Sequence, residues 1–336
     1  MIAASNLIKG ETKMKRLVLV ALFLAAVPLA AQQEPAGAQQ APQLSVRVVE
    51  NFLKLPDDVH MAEVVGVTVD QKGHIIVANR GHRPLLEFNA DGTFVRSIAD
   101  GLPLFEGPHS VRVDPQGNLW YVDAGTNLVV KFDQTKHLQM VLGRRPEPWT
   151  WMTHVIERAI PGPQNFYQPT DITWGLDGSI YISDGYGNSR VAKFNKDGNL
   201  VKHWGERGGA PGQFNTPHSI VIDAAGTTLY VADRGNSRIQ TFDTDGNFKK
   251  EFQIGGAPWS FCITPPPNQV MFVGSTGKVY KMDLNGKVLG SFGRMGRVPG
   301  TVDWVHAVAC PDERTVYLAE ELSWRLDKVI VDTPKP

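Results

Sequence analysis

The chain has 336 residues, of which 33 are Gly and 23 are Pro, so turns are frequent and long helical or coiled-coil architectures are excluded. Hydrophobic residues make up 42% and charged residues 20%, enough apolar material for a packed core and against disorder throughout. Lys and Arg (34) balance Asp and Glu (34), with no basic block to follow a phosphate backbone, so no nucleic-acid partner is expected.

At the N-terminus, Met14-Lys15-Arg16 precedes an uncharged apolar run from Leu17 to Leu29 and then Ala30-Ala31-Gln32. Charge, apolar stretch and small residues in that order are a secretory signal. Thirteen apolar residues are too few to span a bilayer, so no stable membrane insertion is expected. Residues 1–31 are read as an N-terminal extension and signal peptide cut after Ala31, with Met1 and Met14 both open as the start. Residues 32–43, rich in Gln, Pro and Ala, form a flexible linker. Residues 44–336 are expected to fold as an exported monomer, periplasmic or secreted.

The remainder repeats. Each unit opens with a β run ending at a turn, continues with a second run closing on a small residue and an acid or amide, and ends with two amphipathic runs split by Asp-Gly or Asn-Gly. The first two runs are clearest at Val67–Asn79, Val111–Asp123, Ile172–Asp184 and Ile220–Asp233, with weaker copies beginning at Cys262 and Val308. The third and fourth runs turn at Asp91-Gly92, Asp197-Gly198 and Asp245-Gly246, a strong hairpin signal. Matching glycines, Gly73, Gly117, Gly178 and Gly226, lie 44, 61 and 48 residues apart. Four short antiparallel strands per unit at this spacing predict an all-β, six-bladed β-propeller. The sixth copy stops after Leu326–Val331 without an outer strand, whereas Ser45–Leu53 is a β run without a repeat. That N-terminal strand is expected to complete the last blade and close the ring.

Propeller geometry lets sequence report convergence, because each first strand lines the central channel. Two residues before these strands the repeats carry Val65, His109, Thr170, His218, Ser260 and His306. Alternate blades of a six-fold ring stand about 120° apart, so three imidazoles at one depth form a facial site with an open position, suited to catalytic zinc. The other histidines, His60, His74, His82, His137, His154 and His203, show no such symmetry and are read as surface or loop residues. On the same face, the loops between second and third strands carry Arg80, Tyr186 and Arg234, whereas Arg190 and Arg238 recur at one place in two blades and are read as structural. Arg can clamp a carboxylate, and a phenol beside a metal can serve as base. The insert from Arg144 to Phe166, with Trp149, Trp151 and His154, is read as a packed surface loop, with a wall of the site as the alternative.

Asp184-Gly-Tyr-Gly-Asn-Ser-Arg190, with Gln168-Pro-Thr-Asp171, His203-Trp-Gly-Glu206, Pro211-Gly-Gln-Phe214, Pro217-His-Ser219 and Ala232-Asp-Arg234, resembles peptidyl-α-hydroxyglycine α-amidating lyase, an NHL-type six-bladed propeller. The resemblance is dense from about Gln168 to Phe242 and ordered from Val64 to Val331. It implies cleavage of a peptidyl-α-hydroxyglycine, or a similar α-hydroxylated amide, to an amide and glyoxylate. It implies zinc on His109, His218 and His306, Tyr186 as the base, and Arg80 and Arg234 holding the substrate and its carboxylate. The family's third metal His precedes an Asp that helps hold a structural calcium with carbonyls equivalent to Val67 and Val111. Here Ala307 follows His306, so the calcium site lacks its side-chain ligand. The four cysteines of the animal enzymes' two bridges are replaced by Tyr167, Gly187, Tyr230 and Thr241, as in a bacterial-type relative. Cys262 and Cys310, on neighbouring inner strands at non-equivalent positions, are expected as two buried thiols. The competing readings are an exported NHL binding scaffold with a degenerate metal site and a metal-dependent propeller hydrolase.

Overall fold

The computed structural model describes residues 41–145 and 162–332. The leader, most of the linker, and Trp149, Trp151 and His154 of the insert lie outside these residues. Six four-stranded antiparallel sheets stand around an axis, five of them each built from four consecutive strands. The sixth takes its outer strand from the other end of the chain: Val46–Val49 pairs with Arg325–Val331, Val46 opposite Val331 and Val49 opposite Lys328. The expected propeller and its closing strand are thus both present.

The core is divided into six seams, one between each pair of neighbouring blades. This explains why second strands read as unbroken apolar runs rather than alternating ones. In Ile75-Ile76-Val77-Ala78, Ile75 and Val77 pack toward blade six while Ile76 and Ala78 pack toward blade two. In blade three Ile180 and Ile182 face blade two, and Tyr181 faces blade four. A sheet clamped on both faces needs apolar side chains at every position, and each large one fully removed from water contributes about 1.5–3 kcal/mol.

Three blades also share an arginine–carboxylate clamp at the start of the third strand, buried in two of them and half-buried in the third. Arg190 donates from Nε to Asp184 at 2.9 Å, Arg238 likewise to Asp233 at 2.8 Å, and Arg325 from Nη2 to Glu320 at 2.9 Å. Arg190 and Arg238 therefore act inside the blades, as their recurrence suggested. The two cysteines correct an expectation: Cys262 and Cys310 form a disulfide, with Cα atoms 5.9 Å apart. Their non-equivalent sequence positions do not separate them, because the inner strands of blades five and six lie side by side and Cys310 follows the last residue of its strand. That Cα spacing falls within the range a bridge spans.

Candidate metal centre

The inner strands of blades two, four and six, Pro108–Val113, Pro217–Ile222 and Val305–Ala309, each break register with the second strand at one residue. Pro108 faces Asp123 and Ser110 faces Val122, leaving His109 as the extra residue; His218 and His306 are left over in the same way. A β-bulge of this kind turns one side chain away from the ordinary alternation. All three imidazoles are buried, 2–3% exposed, with ring centroids 4.6 to 4.9 Å apart. One ring nitrogen from each lies within 4.8 Å of the others.

The opposite ring nitrogens are all spoken for. Nδ1 of His109 donates to the Thr170 carbonyl, Nδ1 of His218 to the Trp259 carbonyl and Nδ1 of His306 to the Val65 carbonyl, each at 2.7 Å. Each acceptor belongs to the next blade round the ring. Because a carbonyl only accepts, the three Nδ1 atoms carry the protons, and in the neutral rings the Nε2 lone pairs are free. Register also corrects one member of the sequence column. In blade three Asp171 pairs with Ser183 and Thr170 precedes it; in blade five Ser260 pairs with Gly274 and Trp259 precedes it. The fifth residue at the level of the histidines is therefore Trp259, with Ser260 one step along.

Burial keeps these rings neutral. Loss of water holds His109 down at about 3, opposed by its bond to Thr170 and reinforced by the Arg80 and Arg234 cations. His218 and His306 are likewise held well below their ordinary value by burial, with Arg234 foremost among the cations for His218 and the His109 ring for His306. Three neutral, oriented nitrogen donors around a small space are the set a borderline-soft divalent metal prefers. A second grouping, Asp70, His74 and Glu87, differs in kind: Glu87 already accepts from Arg96 Nε at 2.7 Å and bonds His74 Nδ1 at 3.0 Å.

Tyr186 closes over the triad, its hydroxyl 3.2 Å from His109 Nε2 and 3.0 Å from His218 Nε2. Its loop reaches this far inward because of its flanking glycines. A Cβ on Gly185 would stand 2.1 Å from the Pro217 carbonyl, and one on Gly187 2.0 Å from the Tyr167 ring. The loop is held by Tyr186 N donating to the Gln168 carbonyl, and the blade-four loop by Arg234 N donating to the Thr216 carbonyl, both at 3.3 Å. Gln168 and Thr216 both have φ of +60°, a costly conformation for non-glycine residues and most of all for β-branched Thr. Burial pushes the Tyr186 phenol up, and Arg234 draws it back.

Arg80 and Arg234, on the loops between second and third strands, both stand beside the triad. Arg80 Nη1 is bonded to Glu321 Oε1 at 2.5 Å. Arg234 lies over Trp259, its guanidinium carbon 4.3 Å from the ring centroid, and 5.3 Å from that of Tyr186. Trp304 in turn packs against Trp259, with centroids 4.9 Å apart and the rings tilted by 32°. Sequence reading missed Glu321, Trp259 and Trp304. A signal for Glu321 existed: it directly follows the acid that ends its second strand, as Arg80 follows Asn79 and Arg234 follows Asp233.

A family model described as a 6-bladed beta-propeller matches residues 162–287. Peptidylglycine alpha-amidating monooxygenase of Rattus norvegicus is 32% identical over 201 residues, 51% of this chain and 20% of that protein. A probable peptidyl-alpha-hydroxyglycine alpha-amidating lyase of Caenorhabditis elegans is 30% identical over 199 residues, 52% of this chain and 53% of that one. NHL repeat-containing protein 3 of Mus musculus is 33% identical over 179 residues, 50% of this chain and 48% of that one. The matches thus span a fifth of the monooxygenase and about half of each of the other two. The chain is a six-bladed β-propeller similar, over about half its length, to a probable peptidyl-α-hydroxyglycine α-amidating lyase and to an NHL repeat-containing protein.

Proposed function

We propose that the protein is an exported zinc-dependent carbon–nitrogen lyase that cleaves a peptidyl-α-hydroxyglycine, or a similar α-hydroxylated amide, to an amide and glyoxylate. The observation that carries this reading is the pairing of three buried histidines, all Nδ1 atoms bonded outward, with a phenol 3.0 and 3.2 Å from two of the Nε2 atoms. Zinc fits this donor set, and when held by His109, His218 and His306 it supplies Lewis-acid stabilisation of negative charge on a substrate oxygen and lowers the pKa of a nearby phenol.

The chain's own residues supply the rest. Tyr186 in its ionised form accepts the proton of the substrate hydroxyl. As that O–H bond breaks, a C=O bond forms and the C–N bond breaks, its electron pair passing to the amide nitrogen. Tyr186 then returns the proton to that nitrogen, so that amide and glyoxylate balance the substrate without any further reactant. Arg234 and Arg80 hold the substrate, whose carboxylate becomes that of glyoxylate. Burial of the triad keeps water from competing for the developing charge.

Calcium does not fit the axis. Ala307 brings no ligand, and the buried axial carboxylate, Asp171, is saturated. It accepts from Ser110 Oγ at 2.6 Å, Ser219 Oγ at 2.7 Å, and Arg112 Nε and Nη2 at 2.9 and 2.6 Å. Export is supported by the leader pattern of residues 14–32 and by the Cys262–Cys310 bridge, since disulfides persist in oxidising compartments. The match to an NHL repeat-containing protein supports the second reading, a binding scaffold. The deciding experiment is glyoxylate release from a short peptide ending in α-hydroxyglycine, before and after chelation, with zinc measured on the same sample. Zinc near one per chain and chelator-sensitive release support the lyase; zinc without release on any hydroxylated amide leaves the scaffold.

A further inference from the structure

The two arginines at the mouth are not equivalent. Arg80 already has a counter-ion, Glu321, whose side chain is only 12% exposed. Its Nε also donates to the Pro108 carbonyl at 3.4 Å. Among the described residues no ion pair joins Arg234 to a carboxylate; aromatic rings and the Tyr186 hydroxyl hold it. The Trp259 ring lies 4.3 Å from its guanidinium carbon, the Tyr186 ring at 5.3 Å, and Trp304 packs against Trp259.

A guanidinium carries its five N–H donors in its own plane. With the Trp259 ring over the guanidinium carbon and one donor turned to Tyr186, further N–H donors remain that can grip a carboxylate with two parallel bonds. The attraction between cation and ring quadrupole grows when both are partly desolvated, and here both are half-buried. We infer that Trp259 is a positioning residue that fixes Arg234 as the anion receptor of this site, and that Glu321 neutralises Arg80, leaving Arg234 to take the substrate carboxylate.

Trp259 suits this role in a second way. Its carbonyl accepts from His218 Nδ1 at 2.7 Å, so one residue ties the height of Arg234 to that of the metal ligand. The carboxylate and the reacting carbon are thereby held in one frame. The identity of the anion as a hydroxyglycine carboxylate rests on the lyase reading; the receptor itself does not.

The test uses hippurate, which has the amide and carboxylate of such a substrate but no hydroxyl, so it binds without being cleaved. Binding to the purified mature protein is followed by calorimetry, with zinc content and thermal unfolding recorded for each variant. Trp259→Leu is expected to weaken hippurate about tenfold, and Trp259→Phe, which restores a ring, to remain within about threefold of the parent. Arg234→Gln is expected to abolish binding, and Arg80→Gln to weaken it far less. In glyoxylate assays Trp259→Leu should raise KM with kcat little changed, which a merely structural role would not produce. Parent-like binding by Trp259→Leu, an Arg80→Gln loss equal to that of Arg234→Gln, or no hippurate binding by the parent would overturn the inference. Hippurate binding in the expected order without glyoxylate release from any substrate would sink the lyase reading alone.

Discussion

Blades two, four and six differ from blades one, three and five at one level of the ring. Blade one bulges there too, at Val65, but only the even blades set an imidazole on the bulge; the odd blades offer backbone carbonyls, from Val65, Thr170 and Trp259, that orient those imidazoles. A six-fold scaffold thus becomes a three-fold ligand set in which every donor has its own support. The difference teaches that half of such a site is side-chain chemistry, open to mutation, and half is backbone geometry, which most substitutions leave in place.

The largest effect should come from breaking the even side. His218→Ala is expected to lower zinc from near one per chain to a small fraction and to reduce glyoxylate release by about a thousandfold or more. Thr170→Val on the odd side keeps its carbonyl and should leave zinc affinity within about tenfold. Metal analysis of the two variants side by side checks this, and equal metal loss would show that the odd blades act through side chains after all. Next comes Tyr186→Phe, which keeps the ring that stands beside Arg234 and removes only the hydroxyl. Zinc content should be unchanged while kcat falls by about 10²–10⁴; a fall in zinc instead would make Tyr186 part of the metal set rather than the base.

A smaller effect concerns proton linkage in the metal-free protein. His109 is held at about 3 by burial, against an ordinary 6.5, and His218 and His306 are held down in the same direction. The unfolded chain therefore takes up protons below about pH 6.5 that the folded chain refuses. Stability from these groups is complete above that pH and is lost progressively as pH falls toward 3. The melting temperature of chelated protein should drop between pH 7 and pH 4, and His109→Gln should flatten the slope. A slope unaltered in that variant would assign the drop to other groups.

Much of this arrangement was legible in the sequence because its signals repeat. Asp-Gly turns and paired β runs recur often enough to give the blades, and the histidines share a column whose meaning follows from the inner-strand position. What escaped detection was single. Trp259 was displaced by one residue because the weak fifth copy is in register from Phe261 rather than Cys262: Phe261 pairs with Val273 as Ile172 pairs with Ile182. Glu321 follows another acid, Glu320, and which of the two faces the mouth is settled only by strand register. The disulfide joins positions that are not equivalent in the repeat, so its proximity arises from stagger between strands rather than from any periodic pattern.

The smallest expected effect is a null one, and it tests the axis just beneath the triad. Asp171 links blades two, three and four through Ser110, Arg112 and Ser219, and Arg112 supplies the positive charge that a divalent cation would otherwise bring. Loss of water would push the Asp171 carboxyl up, but Arg112 and the two serine hydroxyls hold it below its ordinary value, so it is charged and fully bonded at neutral pH. A pair this buried is strong only while intact: Asp171→Asn, which strands the guanidinium, should cost about 3–5 kcal/mol. Calcium, in contrast, finds no free carboxylate there and should shift the melting temperature of the zinc-loaded protein by no more than about 1 °C at millimolar concentration. A rise of several degrees would mean that calcium displaces Arg112 from Asp171, and that the even blades are braced by a metal the odd blades share.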